Sequence, residues 1–91
     1  MEKKLINGKV YKETDFEEVV SSHNEDGSVF YHIFYGDVDW HKNGNRQKAI
    51  CVFMRYGDRV NVRTPANILL KDLLKVEEAI AILKSRNMEV E

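Results

Sequence analysis

Hydrophobic and polar positions alternate most clearly through the middle of the chain, in three runs covering residues 28–40, 46–56 and 59–64. In the second run Ile50, Val52 and Met54 fall on one side of an extended backbone, and Gln47, Ala49, Cys51, Phe53 and Arg55 on the other. The first run is apolar on both parities. Val29, Tyr31, Ile33 and Tyr35 share one side while Phe30, His32 and Phe34 share the opposite one, a pattern that predicts cover on both faces over part of the strand. In the third run Val60 and Val62 alternate with Arg59, Asn61 and Arg63. The valines are expected to face inward with Ile50, Val52 and Met54, which leaves Arg59, Asn61 and Arg63 outward. His41-Lys42-Asn43-Gly44-Asn45 and Gly57-Asp58 supply the residues that let a backbone reverse between strands. The three runs therefore read as an antiparallel meander.

The flanks read as helical. Phe16, Val19, Val20 and His23 stand at i, i+3, i+4 and i+7, behind Thr14 with Glu17 three positions later, as in a capping box. Asp15, Glu17 and Glu18 then suit the positive end of a short helix, closed by Asn24-Glu25-Asp26-Gly27. Thr64-Pro65 opens a longer helix reaching about Asn87. Its stripe of Leu69, Leu73, Val76, Ile80 and Leu83 is widened by Leu70, Leu74, Ala81 and Ile82. Such width calls for packing against both the sheet and the first helix, or for a homodimer seam. The expected fold is α+β: a short N-terminal helix, a three-stranded antiparallel meander and a long C-terminal helix on one sheet face. Residues 1–13, turning at Asn7-Gly8, are either an extra N-terminal edge strand or a loose arm. One domain spans 1–91, with 1–13 and 85–91 fraying.

Composition narrows the function classes. At 91 residues, 43% hydrophobic and 32% charged, with a formal net charge of -1, the chain is neither disordered nor a general polyanion binder. Charge is uneven, however: residues 28–64 carry +3, against -3 before them and -1 after. Cys51 is the lone cysteine, which excludes an internal disulfide and a multi-thiolate zinc site within one chain. No signal-like or membrane-length apolar run occurs, so a cytoplasmic, reducing setting is expected.

Candidate chemistry is sparse. Asp37, Asp39 and His41 would share one side of a strand and could bind a divalent ion as a metal-dependent hydrolase, but acids and polar residues also end strands and open turns. Cys51 sits between Ile50 and Val52, where a cysteine usually packs as a small hydrophobe. Phosphate loops, nucleophile elbows and zinc-protease signatures are missing, and neither an enzyme nor a cofactor is expected. The meander is the basic, aromatic part, holding seven of the nine aromatic residues. The expected function is nucleic-acid binding on the open sheet face, by Arg55, Arg59, Asn61 and Arg63, with Lys42, Arg46 and Lys48 around the hairpin tip and Trp40 stacking. The competing expectation is a protein-interaction module, a small regulator or inhibitor from a mobile element, using the aromatic strand or the C-terminal helix.

The order helix, three strands, helix resembles double-stranded RNA-binding domains in outline. The last three strands and helix resemble the arm-binding domains of phage integrases and plant AP2 domains, which read DNA with a three-stranded sheet. The lysine cluster of the RNA binders is replaced here by Pro65-Ala66-Asn67-Ile68.

Overall fold

A computed structural model describes residues 5–22, 27–63 and 65–87. Strands β1 (Tyr11–Val20), β2 (Val29–Val38), β3 (Gln47–Tyr56) and β4 (Arg59–Asn61) form an antiparallel meander in the order β1-β2-β3-β4, followed by a 3-10 turn at Leu70–Asp72 and helix α1 (Leu73–Asn87). The α+β class holds, with four strands and one C-terminal helix. No helix among the described residues is long and apolar enough to cross a membrane.

The expected N-terminal helix is instead β1. Its acids do not serve a helix start, because each finds a basic partner across the tertiary fold. Arg86 at the end of α1 lies 2.9 Å from Asp15 and 2.6 Å from Glu17, and also donates to the Phe16 carbonyl. The Arg86 hydrogen bond holds the Asp15 carboxyl below its usual range, against the opposing effect of burial. Glu18 turns to the other face and meets Arg55 and His32. Local propensity yields here to partners about seventy residues away in sequence. His23, Asn24, Glu25 and Asp26 lie outside the described residues, while Gly27 has the expected positive φ of 83°.

The β1–β2 register shifts between Glu13 and Asp15, and Gly36 sits opposite this bulge. A Cβ on Gly36 would lie 2.0 Å from the Lys12 carbonyl oxygen, so the backbones meet only because that side chain is absent. In the N-terminal segment, Gly8 N–H donates to the Tyr11 carbonyl and Asn7 bridges Lys12, giving a tight turn with one isolated bridge.

Both faces of β2 are buried, as its double apolar pattern requires. On one face Tyr31, Ile33 and Met54 pack with Val76, Ala79 and Leu83 of α1. On the other, Phe34 stacks on Phe53, Tyr11 meets both rings edge-on, and Phe16 stacks on His32. Phe34 and His32 are fully buried. The aromatic rings on this face are therefore packed against one another and not laid open as a platform.

The third run also differs from expectation. The two-residue turn at Gly57-Asp58 pairs Tyr56 with Arg59, Arg55 with Val60 and Met54 with Asn61. Directly opposed residues share a face, so Val60 joins Arg55, while Arg59 and Asn61 take the parity of Tyr56 and Met54. Arg55 and the pair Arg59 and Asn61 thus point to opposite sides.

The C-terminal helix is shorter than expected. Thr64 lies outside the described residues, and 65–69 is non-helical because Ala66 N–H donates to the Val52 carbonyl at 3.1 Å while Ala66 and Ile68 pack on the core. At its other end the helix reaches Asn87, as expected. With β1 replacing the first helix, the widened stripe is only partly covered: Leu70, Leu74 and Ile82 stay exposed.

Candidate nucleic-acid interface

The eight candidate residues separate into two sets. Arg55 is structural. Its guanidinium lies 2.8 Å from Glu18, stacks 4.2 Å above the Phe30 ring and donates to the Gly57 carbonyl, leaving little of it for a ligand. Lys48 is half committed, 3.0 Å from Asp37 and 5.5 Å from the Tyr35 ring centre. The Asp37 hydrogen bond pushes its pKa up. Asn61 shapes the chain, its side-chain oxygen accepting from Arg63 N–H at 3.1 Å. Lys42, Arg46, Arg59 and Arg63 are exposed, and none has a carboxylate within ion-pair distance among the described residues. Trp40 is 62% exposed.

Three separate segments bring some of these cations together. Asp39 organises the β2–β3 loop: its carboxylate accepts from Asn43 and Gly44 N–H at 3.1 and 2.8 Å, and its carbonyl from Lys42 N–H. Burial pushes the Asp39 carboxyl up, but the Gly44 and Asn43 amides outweigh it and hold it below the usual range. Lys42 takes a left-handed φ of 56° at this bend. Asp39 N–H in turn donates to the Val10 carbonyl, docking the loop on the N-terminal turn. The result is a cleft of about 510 Å³ lined by Lys9, Tyr11, Lys42, Val62 and Arg63 together with Ile6, Gly8 and Val10.

A second cleft, of about 390 Å³, continues along β4 between Tyr56, Arg59, Asn61 and Arg63. Val62 and Arg63 line both. The two clefts meet at Val62 and Arg63, and their walls together hold Lys9, Lys42, Arg63 and Arg59 with Tyr11 and Tyr56; neither lining includes a carboxylate. Lys9, Tyr11 and Tyr56 were not picked out from the sequence. Lys9 lies 33 positions from Lys42, and their segments are brought together by the Tyr11–Val38 pairing and the Val10–Asp39 hydrogen bond. Tyr56 could have been found, since the two-residue turn forces it beside Arg59.

The other chemical candidates resolve differently. Asp37 pairs with Lys48, Asp39 caps its loop and His41 is exposed, so these three do not converge. Among the described residues no group of three or more His, Cys, Asp or Glu could hold a metal ion. Cys51 is half-buried, and burial pushes its thiol up, away from the reactive thiolate. The buried His32 has Glu13 at 2.5 Å on Nε2 and Glu18 at 2.7 Å on Nδ1, so both ring nitrogens are occupied within the fold.

No family model, curated protein or solved structure matches this chain. Four cations spaced along a groove with two tyrosine rings suit a polyanion carrying flat, unpaired bases: ammonium and guanidinium groups meet phosphates, and an exposed ring such as Tyr56 offers a stacking surface.

Proposed function

We propose that this is a small non-enzymatic nucleic-acid-binding protein of the cytoplasm that grips a single strand along β4. The observation carrying this reading is the pair of acid-free clefts joined at Arg63. Lys9, Lys42, Arg63 and Arg59 contact the phosphates, Tyr56 stacks a base, and Trp40 and Arg46 on the β2–β3 loop extend the contact. Lys48 contributes long-range attraction and Arg55 no contact.

Fluorescence anisotropy with labelled single- and double-stranded DNA and RNA, at about 50 and 200 mM salt, tests it, because a few phosphate contacts already give a steep salt dependence over that span. The expected result is binding that prefers single strands and weakens sharply at the higher salt. Absence of binding to all four nucleic acids overturns the reading.

A second reading, as a protein-interaction module, rests on Leu70 and Leu74, which are 85% and 66% exposed at the start of α1. These side chains suit a protein contact, including a homodimer through the C-terminal helix. Salt separates the two readings, since an apolar contact changes little between the same two concentrations.

A further inference from the structure

We propose that the outer edge of β3 at residues 47–51 receives an extended peptide from a partner protein, one that carries an apolar and an acidic side chain two positions apart, on the same face. This inference is independent of the nucleic-acid reading and uses a different surface.

The two edges of the sheet are treated differently. The β1 edge is covered: Glu13 N–H donates to the Ile6 carbonyl, Asn7 bridges Lys12, and Arg86 binds the Phe16 carbonyl. The β3 edge is covered only at one end. β4 pairs with Met54, Arg55 and Tyr56 alone, and Ala66 N–H takes the Val52 carbonyl. Backbone groups alternate in direction along an antiparallel strand, so Ile50 and Lys48 turn their N–H and C=O groups outward as Val52 does. No group among the described residues pairs with them on that side. An edge with free donors and acceptors is a template for strand addition.

Strand addition gains specificity from side-chain pockets at alternate positions, and one lies beside this edge. It is a cleft of about 400 Å³ on the α1 side, lined by Tyr35, Ala49 and Ile50 with Lys48 and Lys84. α1 packs mainly over β1 and β2, which leaves the Ile50 end of the sheet only half covered. An apolar side chain of the incoming strand fills the cleft while an acidic side chain two positions along, on the same face, meets Lys84, whose side chain has no acidic partner among the described residues. Charge also selects against a second copy of this chain. Antiparallel edge-to-edge pairing centred on Ala49 would set the Lys48 side chains of the two copies diagonally beside each other on one face, a repulsive arrangement.

The test is NMR of the isotope-labelled full chain titrated with a short capped peptide in which Glu and Val take turns along one face of the strand, with Thr at every intervening position. Comparators are the same peptide N-methylated throughout and a Lys and Val counterpart. The expected result is slowed exchange of the Lys48 and Ile50 amides with the acidic peptide, loss of binding on N-methylation, and about tenfold weaker binding of the basic peptide, reversed in Lys84→Glu. Equal binding of the N-methylated peptide, amide changes confined to other strands, or no binding at millimolar peptide would each overturn the proposal. So would amides of Lys48 and Ile50 already protected in a dimer of the free protein.

Discussion

A Glu13 carboxylate oxygen lies 2.5 Å from His32 Nε2 beneath the aromatic side of the sheet, and Glu18 closes on Nδ1 at 2.7 Å. His32 and the Glu13 side chain are essentially fully buried, and Phe16 stacks on the imidazole. Each nitrogen-to-oxygen contact needs its own proton, so the three groups together hold two. Whether both protons sit on the ring or one sits on a carboxyl, the triad carries a single negative charge. Arg55, 2.8 Å from Glu18, balances it. A closed and neutral network of this kind joins β1, β2 and β3 and engages both imidazole nitrogens within the fold.

Removing one member exposes how the others depend on it. His32→Ala leaves Glu13 buried without its imidazole partner, and urea denaturation should show a loss of about 3 to 5 kcal/mol, the usual cost of breaking a buried pair from one side. Replacing both partners together, as Glu13→Leu with His32→Leu, should recover part of that loss. If the double variant is as unstable as the sum of the singles, the two residues do not act as a pair.

Two arginines that looked equivalent in the sequence should behave oppositely. Arg55→Ala removes the counter-charge of Glu18 and the stack on Phe30, so it lowers the urea midpoint and leaves nucleic-acid affinity per folded molecule unchanged. Arg63→Ala lies at the junction of the two clefts and should leave the midpoint alone while reducing the salt slope by about one unit. Anisotropy titrations and urea melts on the same samples check both. A binding loss in the Arg55 variant equal to that of Arg63 would mean that the ligand lies on the aromatic side after all.

The meander was legible because its signals are local. Alternation marked β2 and β3 to within two residues at each end, and Gly57-Asp58 marked the turn. The same turn also contained the parity of β4, since two intervening residues must pair Tyr56 with Arg59; grouping Val60 with Ile50 by hydrophobicity alone missed that geometry. β1 was not legible as a strand. Phe16, Val19 and Val20 fit a helical spacing, and the facts that decide against it are the remote partners Arg86, Arg55 and His32. The site was half legible: Lys42, Arg59 and Arg63 were in view, but Lys9 joins them only through the docking of the N-terminal turn.

Tyr31 ties the sheet to the start of α1. Its hydroxyl donates to Asp72 at 2.7 Å and accepts from Leu69 N–H at 3.1 Å, and Ser22 donates to the same carboxylate oxygen through its amide and its hydroxyl. Tyr31→Phe should cost about 1.5 to 3 kcal/mol in a urea titration, because a bond to a charged group is lost and a buried amide goes unmatched.

The same carboxylate sets a pH dependence. The Tyr31 hydrogen bond holds the Asp72 carboxyl below its usual range, with the Ser22 bonds adding to it and burial opposing. The unfolded chain therefore binds this proton more readily than the folded one. The stabilisation is complete above the ordinary aspartate value of about 3.9 and is lost as pH falls through the depressed folded value. Asp72→Asn should be less stable than the natural protein at pH 6, and urea midpoints should converge as the pH is lowered below about 4. Parallel midpoints down to pH 2 would show that Asp72 is not held in its charged form by these donors.

Gly36 tests the bulge that aims β1. The register shift between Glu13 and Asp15 brings the Lys12 carbonyl against Gly36, where an added Cβ would sit 2.0 Å from that oxygen and 3.0 Å from Glu13 Cα. Both neighbours are backbone, so no side chain can swing aside, and one strand must move. Gly36→Ala is expected to cost about 1 to 3 kcal/mol, the range for overpacking, with the change read as a lower urea midpoint. The displacement would fall on Glu13 and hence on its contact with His32, so the His32 ring resonances should shift as well. Gly8→Ala is the matched control: its Cβ would meet only the Tyr11 carbonyl, at 3.7 Å, an ordinary contact, and its midpoint should stay near that of the natural protein. Equal stability of the two variants would place the bulge elsewhere along β1.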